Sequence, residues 1–474
     1  PLPLYEVHRG AEQFGIELLM GLDPAQLHDD KIGYTLDALV PLNEAGECDL
    51  SRLQELHHRL ADRAVRVYQI PVDMLHYDFT DISFSGVYED SDLLQRGKGP
   101  GRRQMQLGLN VTAEGGFPVL ASAHPGARNH TVSVPENLAA LTEQLAGKSF
   151  CVITDSAGVC YDNIVAYEQI GQCFLGPRQL RKWEKEKLSA MADEQFELAE
   201  YRSPKGSRYW TRELAWEIAP QNKDGSVTVR ALAIISEEKR RNAQAKARGQ
   251  MSKLLRRLAE IGGYAGSRGH YRRADYVRKQ AEKALEKYNH AAAFVQIEVT
   301  EGSDGPEFVW SVDWADFAAY RGRLGRYALF TNLPVDEHGA DDLLELYHGR
   351  HVVEAAYRQL KSELEISPMH LHKDNRLYGL AWVYVIALMV LSLLQLVARQ
   401  AGLTTRRGHP LTARALLKEL WSVTALVWRD GGELRATVAP LPERARMYLE
   451  VLGFPSAQHW LTAPPCDQQL ISGM

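Results

Sequence analysis

A chain of 474 residues is too long for one ordinary core, so two to four domains are expected. Its 45% hydrophobic and 24% charged residues suit a folded globular protein and exclude a disordered or low-complexity chain. The net charge of −5 excludes a global cationic field, so any polyanion has to be met by local basic surfaces.

The five cysteines, Cys48, Cys151, Cys160, Cys173 and Cys466, form no CxxC pair and no cluster with histidine. That usage predicts a reduced chain without structural zinc. The start shows no signal-peptide pattern, and a proline at position 1 suggests a trimmed or partial N-terminus. Together these readings predict a cytoplasmic protein.

Residues 1–70 read as helical, with apolar residues of LSRLQELHHRLADRAVRVYQI at three- and four-residue spacing before Pro71. Three strands follow in MLHYDFTDISFSG, RQMQLGLNV and FPVLASAH, with Gly115-Gly116 as a hairpin turn between the last two. ENLAALTEQLAG reads as a helix, and SFCVITDSAG as a buried strand ending at Asp155. NIVAYEQIG and QCFLG continue as helix and strand. This order predicts an α/β fold with a mixed sheet and chemistry at strand ends.

Between 177 and 326 the character changes to charged helical stretches, a strand in VTVRALAIIS, a basic helical pair and an extended AAFVQIEVT. We read that stretch as an inserted domain. The α/β pattern returns in YALFTNL, and a long helix is predicted from about Asp341 to Leu364. The apolar run Leu380–Ala398 is long enough to span a bilayer, yet a lone run holding Ser392 and Gln395 reads first as a buried core helix. Shorter helices are expected from 401 to 474.

The predicted helix at 341–364 carries the densest chemistry. At about 100° per residue, Tyr347, Arg350, Glu354 and Lys361 share a stripe about 60° wide. Val353, Ala356, Leu360 and Leu364 fall on an apolar face. One carboxylate flanked by two cations and a phenol suits an acidic metal ligand beside phosphate-binding groups. The same stripe also reads as a solvated face with an Arg350–Glu354 pair contributing a few tenths of a kcal/mol.

The spacing Tyr-x2-Arg-x3-Glu-x6-Lys at 347, 350, 354 and 361, together with YDFTDISF, QMQLGLNVTAEGGFPV, ITDSAGV and YALFTNL, resembles the DDE transposases of bacterial insertion sequences. The branch is the insertion-sequence-four superfamily. The segment PMHLHKDNRLYGLAWVYVIAL extends the likeness, which covers about residues 28 to 400 and is weak in the insertion. His351 departs from the tryptophan common after the arginine in that group.

The resemblance implies an RNase H-like mixed-sheet core at 71–176 plus 327–400, interrupted by the insertion at 177–326. Helical regions at 1–70 and 401–474 flank it. It implies Asp78, Asp155 and Glu354 as catalytic acids and metal ligands, with Asp81 and, more weakly, Asp73 as rivals for the first place. Asp155 also reads as a turn residue, since Ser and Gly follow it. Three carboxylates favour a pair of Mg²⁺ ions, with Mn²⁺ as substitute, for hydrolysis and strand transfer at phosphorus.

Tyr347, Arg350 and Lys361 would bind the phosphate near the cut end. Tyr327 would stack on a flipped base, or else pack as a core aromatic. Lys98, Arg102 and Arg103 in a Gly/Pro-bearing loop, and the basic excess between Lys239 and Lys287, would add DNA contacts or a solvated face. The implied partner is double-stranded DNA, both transposon ends and target, held by a homodimer and not at a membrane. Three other classes compete with this reading. A DNA-binding descendant that no longer cuts would tolerate loss of an acid. A glycosidase with paired carboxylates would not need the Tyr-Arg-Glu-Lys stripe. The third class is a membrane protein built on 380–398.

Overall fold

The computed structural model describes residues 4–84, 91–96, 103–128, 130–220, 225–303, 305–364, 371–405, 408–431 and 433–453. The chain is mixed α/β with a large mixed sheet. It divides into two compact units, 1–174 with 346–474, and 175–345.

The first unit opens with short helices α1 (Val7–Gln13) and α2 (Ile16–Met20), then α3 (Asp29–Leu39) and α4 (Ser51–Val67). α4 buries Leu53, His57, Ala61, Ala64 and Val65, at the helical spacing read from the sequence. Next come β1 (Met74–Phe84), the short β2 (Gln95–Arg96), β3 (Arg103–Thr112) and β4 (Pro118–Pro125). β1 and β3 pair antiparallel, and so do β3 and β4. Gly115 and Gly116 make the β3–β4 turn with φ of 77° and 66°, the left-handed region that glycine adopts without steric cost. Helix α5 (His130–Gln144) returns the chain to β5 (Cys151–Ile153), which pairs parallel with β1. The order β4-β3-β1-β5 is therefore an antiparallel meander with a parallel strand beside its first member. Helix α6 (Tyr161–Gln169) leads to β6 (Cys173–Pro177), whose Cys173 N–H donates to the Phe150 carbonyl at 3.0 Å.

The second unit contains α7 (Lys182–Ala190), β7 (Glu197–Leu198), β8 (Tyr209–Ile218), β9 (Val227–Ser236), α8 (Glu237–Tyr264), α9 (Ala274–Lys287) and α10 (Asn289–Ala292). It continues with β10 (Val295–Gly302), β11 (Gly305–Val312), α11 (Trp314–Gly322) and β12 (Arg326–Thr331). Its strand order is β6-β12-β9-β8-β7, while β10 and β11 form a separate hairpin. β8 corrects the reading of its segment as charged helix. Tyr209, Thr211, Trp216 and Ile218 are its buried positions, with Arg212, Glu213 and Glu217 among its other residues. A second core forms where Met251, Leu254, Leu258 and Ile261 of α8 meet Val277, Ala281 and Ala284 of α9.

Helix α12 (Ala340–His348) brings the chain back, and α13 (His351–Arg358) follows. The single helix expected over 341–364 is therefore interrupted. Gly349, among the weakest helix formers, sits at the break, and the next residues form a π-helical turn, Gln359–Glu363. The first unit is completed by α14 (Asp374–Gln400), α15 (Ala413–Leu420), the hairpin β13 (Ala425–Asp430) and β14 (Glu433–Val438), and α16 (Glu443–Val451). The hairpin corrects the expectation of helices alone in this region.

α14 is long and apolar enough to cross a membrane. It also buries Leu377, Ala381, Trp382, Val385 and Leu388 in one core with β1, β3 and α13. Burial of that stripe accounts for much of its hydrophobicity.

Candidate active site

Asp78 stands in the middle of β1, opposite Leu109 of β3. Directly paired residues project from the same face of a sheet. Leu109 lies in the core with Ile82, Phe84, Met105, Leu107 and Val111, against Val353, Ala356, Tyr357 and Leu360 of α13 and its π turn. Asp78 thus projects from the sheet face on which α13 packs. Side chains alternate along a strand, so Asp81 projects from the other face, and it is exposed. Asp73 precedes the strand and is exposed.

Asp155 follows β5. The parallel register joins Met74 to Cys151, Leu75 to Val152 and His76 to Ile153. The offset fixed by these pairs also relates Asp78 to Asp155, which lies past the end of the paired segment, in the turn after β5. Asp155 is also a turn residue, because its Oδ1 accepts from Ala157 N–H at 2.9 Å and its carbonyl from Gly158 N–H at 3.2 Å. A Cβ on Gly158 would lie 2.2 Å from Thr154 Oγ1, so this turn needs glycine. The turn reading of Asp155 is therefore borne out.

Glu354 lies in the first turn of α13 and is exposed, beside the buried Val353. Among the described residues, the three acids do not form a group whose ligand atoms all lie within 4.8 Å. A group that does is His28, Asp29 and Asp30, which is exposed at the start of α3. There His28 Nδ1 accepts from Lys31 N–H at 3.4 Å as a helix cap.

Arg350 donates from Nη2 to Asp78 Oδ2 at 3.4 Å, and Phe79 N–H donates to Asp78 Oδ1 at 2.9 Å. The side chains of Arg350 and Asp78 are 20% and 23% exposed. The guanidinium lies 5.9 Å from the centre of the Tyr347 ring. Arg350 falls in the turn between α12 and α13, where its N–H bonds to the Tyr347 carbonyl at 3.3 Å, a three-residue closure. The phase assumed by a continuous helix therefore fails between Tyr347 and Glu354. Lys361 is exposed in the π turn, a helix form often found at functional sites.

The remaining expected DNA contacts are more scattered. Arg103 begins β3 opposite Phe84, and its Nη1 donates to the Leu94 carbonyl at 2.8 Å, so part of its capacity serves the fold. Lys98 and Arg102 lie outside the described residues. In the second unit, Tyr327 of β12 is half-buried, with the Lys239 ammonium 3.6 Å from its ring centre. Burial pushes the Lys239 amine below its ordinary range. Of the basic pairs, Arg256 and Arg272 are exposed, while Arg257 and Arg273 pair with Glu260 at 2.9 Å and Asp275 at 2.6 Å.

Two neighbours of Asp78 escaped the sequence reading. His76 lies two residues earlier on the same strand face and is 1% exposed. Burial, then Arg350 and His351, push its imidazole down to about 4, so it is neutral at pH 7. Its Nδ1 has no hydrogen-bond partner among the described residues. The two-residue spacing before an acid on a strand was the available signal. Tyr357 of α13 donates its hydroxyl to the main-chain carbonyl of Asp78, and lies 3.2 Å from that of Leu107. Burial, and then the charge of Asp78, hold that phenol well above its ordinary range, so it remains protonated.

No protein-family model matches this chain, and no curated protein matches it. Among solved structures, it is similar to a cryo-EM structure of the piggyBac transposase synaptic complex with hairpin DNA. That likeness covers 76% of this chain and 63% of the other, at 9% identity and a TM-score of 0.22. The match thus spans less than two thirds of that protein's length, and at this TM-score it carries no argument about the site.

Proposed function

We propose that this chain is a DDE transposase of an insertion sequence, which cleaves transposon ends and joins them to target DNA with Asp78, Asp155 and Glu354 as its acids. The reading is supported by the β1–β5 register, whose offset equals that between Asp78 and Asp155, together with the packing of the Glu354 helix on the face from which Asp78 projects. The choice of Asp78 over Asp81 rests on that face. Carboxylates and no cysteine–histidine set make a donor group for a hard divalent cation. Asp78, Asp155 and Glu354 would hold Mg²⁺, as two ions, or Mn²⁺ in its place. The bound metal supplies charge neutralisation at the phosphate and a more acidic attacking hydroxyl.

The side chains divide the remaining work. Arg350, once it leaves Asp78, and Lys361 bind the phosphate beside the cut, and Tyr347 limits the directions open to the guanidinium. Neutral His76 adds no positive charge to compete with the metal. Arg103, Arg102 and basic residues between Lys239 and Lys287 extend the DNA contact, and Tyr327 stacks on a displaced base when Lys239 moves aside. The DNA-bound form is a homodimer, and the protein works in the bacterial cytoplasm, away from membranes.

The test uses duplex oligonucleotides carrying the DNA that flanks the coding region. Glu354→Gln is expected to bind these ends and to lose cleavage in Mg²⁺. Cleavage at the wild-type rate removes Glu354 from the chemistry. Binding without cleavage by the wild-type chain would instead favour a catalytically silent, DNA-binding descendant.

A further inference from the structure

The apolar face of α13 and its π turn is filled by Val353, Ala356 and Leu360, with one polar exception at Tyr357. The Tyr357 ring is 7% exposed within that core, yet its hydroxyl reaches the carbonyls of Asp78 on β1 and Leu107 on β3. A phenol carries one hydrogen, so both carbonyls compete for a single donor and the shorter contact, to Asp78, takes most of it. A buried hydroxyl without a partner would be costly, so this bond constrains how helix and strand meet. Glu354 lies three residues before Tyr357, about one helical turn away. The bond therefore links the main chain of the first acid to the helix that carries the third.

We propose that Tyr357 is a positioning residue for the acid site. Its hydroxyl sets the spacing between Asp78 and Glu354 and so the affinity for a divalent cation. The proposal rests on the acid-site reading above. A helix held by apolar packing alone can slide by a fraction of an ångström, because dispersion contacts have no direction. A donor aimed at one carbonyl removes that freedom. Groups that orient metal ligands without touching the metal typically affect affinity by about 10- to 100-fold. Tyr357 acts through the main chain, so the lower end is expected.

The experiment measures Mn²⁺ binding to the whole chain, without DNA, by electron paramagnetic resonance and calorimetry. Tyr357→Phe keeps the ring and removes the donor. It is expected to weaken Mn²⁺ binding about tenfold, while metal-free binding of end DNA stays within twofold of wild type. Replacing Tyr357 with 4-aminophenylalanine, which retains a donor at the same place, is expected to restore affinity. Mn²⁺ affinity within twofold of wild type in a folded Tyr357→Phe overturns the proposal. If the phenylalanine variant does not fold, the aminophenylalanine variant decides. Wild-type affinity there supports the donor role, and loss of Mn²⁺ binding in a folded protein overturns it. Asp78→Asn separates the two levels. An unchanged number of bound Mn²⁺ ions at unchanged affinity refutes the acid-site reading itself, whereas loss of a site there with no effect of Tyr357→Phe refutes only the positioning role.

Discussion

The Arg350–Asp78 pair makes a prediction with opposite signs for two ligands. The Arg350 guanidinium lies 3.4 Å from an Asp78 carboxylate oxygen, with both side chains about four-fifths buried, and on the proposed reading a cation would compete for that oxygen. At an effective dielectric constant near 20, Coulomb attraction at that separation is about 5 kcal/mol. Most of this is offset by desolvation and by the long, single contact, leaving a net of about 1 kcal/mol, near the upper end for accessible pairs. Arg350→Ala should remove that competition and tighten Mn²⁺ binding to the DNA-free protein about fivefold. On the proposed reading the same substitution also removes a phosphate contact, so it should weaken DNA-end binding, with a shallower salt dependence. By linkage, adding DNA to the wild-type chain should raise its Mn²⁺ affinity by the factor by which Mn²⁺ raises its DNA affinity. Calorimetric Mn²⁺ titrations with and without DNA read all of these. Unchanged or weaker Mn²⁺ binding in Arg350→Ala would refute the competition argument, because a general loss of structure moves both affinities downward.

Other predictions address the turn and the core. Gly158→Ala places a methyl group 2.2 Å from Thr154 Oγ1, so it should cost about 1–3 kcal/mol in denaturant unfolding and reduce cleavage by displacing Asp155. Wild-type stability and rate together would show that the turn tolerates the change. His57 is buried in α4 and is pushed down to about 4 by that burial, against about 6.5 in an unfolded chain. Its contribution is present above pH 6.5 and is lost as pH falls through about 4, for a total of about 3 kcal/mol. Urea titrations at pH 7, 5.5 and 4.5 should show a smaller acid loss in His57→Phe than in wild type. Equal slopes would mean that other groups carry the acid sensitivity.

Local patterns were legible without a structure wherever period and burial agree. The apolar Leu107, Leu109 and Val111 at two-residue spacing in β3, the Gly115-Gly116 turn and the apolar stripe Val353–Ala356–Leu360 are all short-range features. Residues two, three or four apart fix them. β8 was missed because its buried positions are interleaved with Arg212, Glu213 and Glu217, and the charges masked the strand. The hairpin of β13 and β14 was missed because Ala425–Asp430 is exposed throughout and carries no core-facing pattern.

The arrangement of the candidate site belonged to tertiary structure. Asp78 and Asp81 fall on opposite faces of one strand, and the pairing of β1 with β3 and the packing of α13 decide which face meets that helix. Arg350 and Asp78 are 272 residues apart in the chain, as Tyr357 and Asp78 are 279 apart. No local period encodes contacts at that distance. The break at Gly349 belongs to the same category, since a wheel drawn from the sequence assumes an unbroken helix. The sequence by itself determined which residues could pair, bury or turn. Which of them meet was decided by strand register and helix docking, because those depend on how distant segments bury one another's apolar faces.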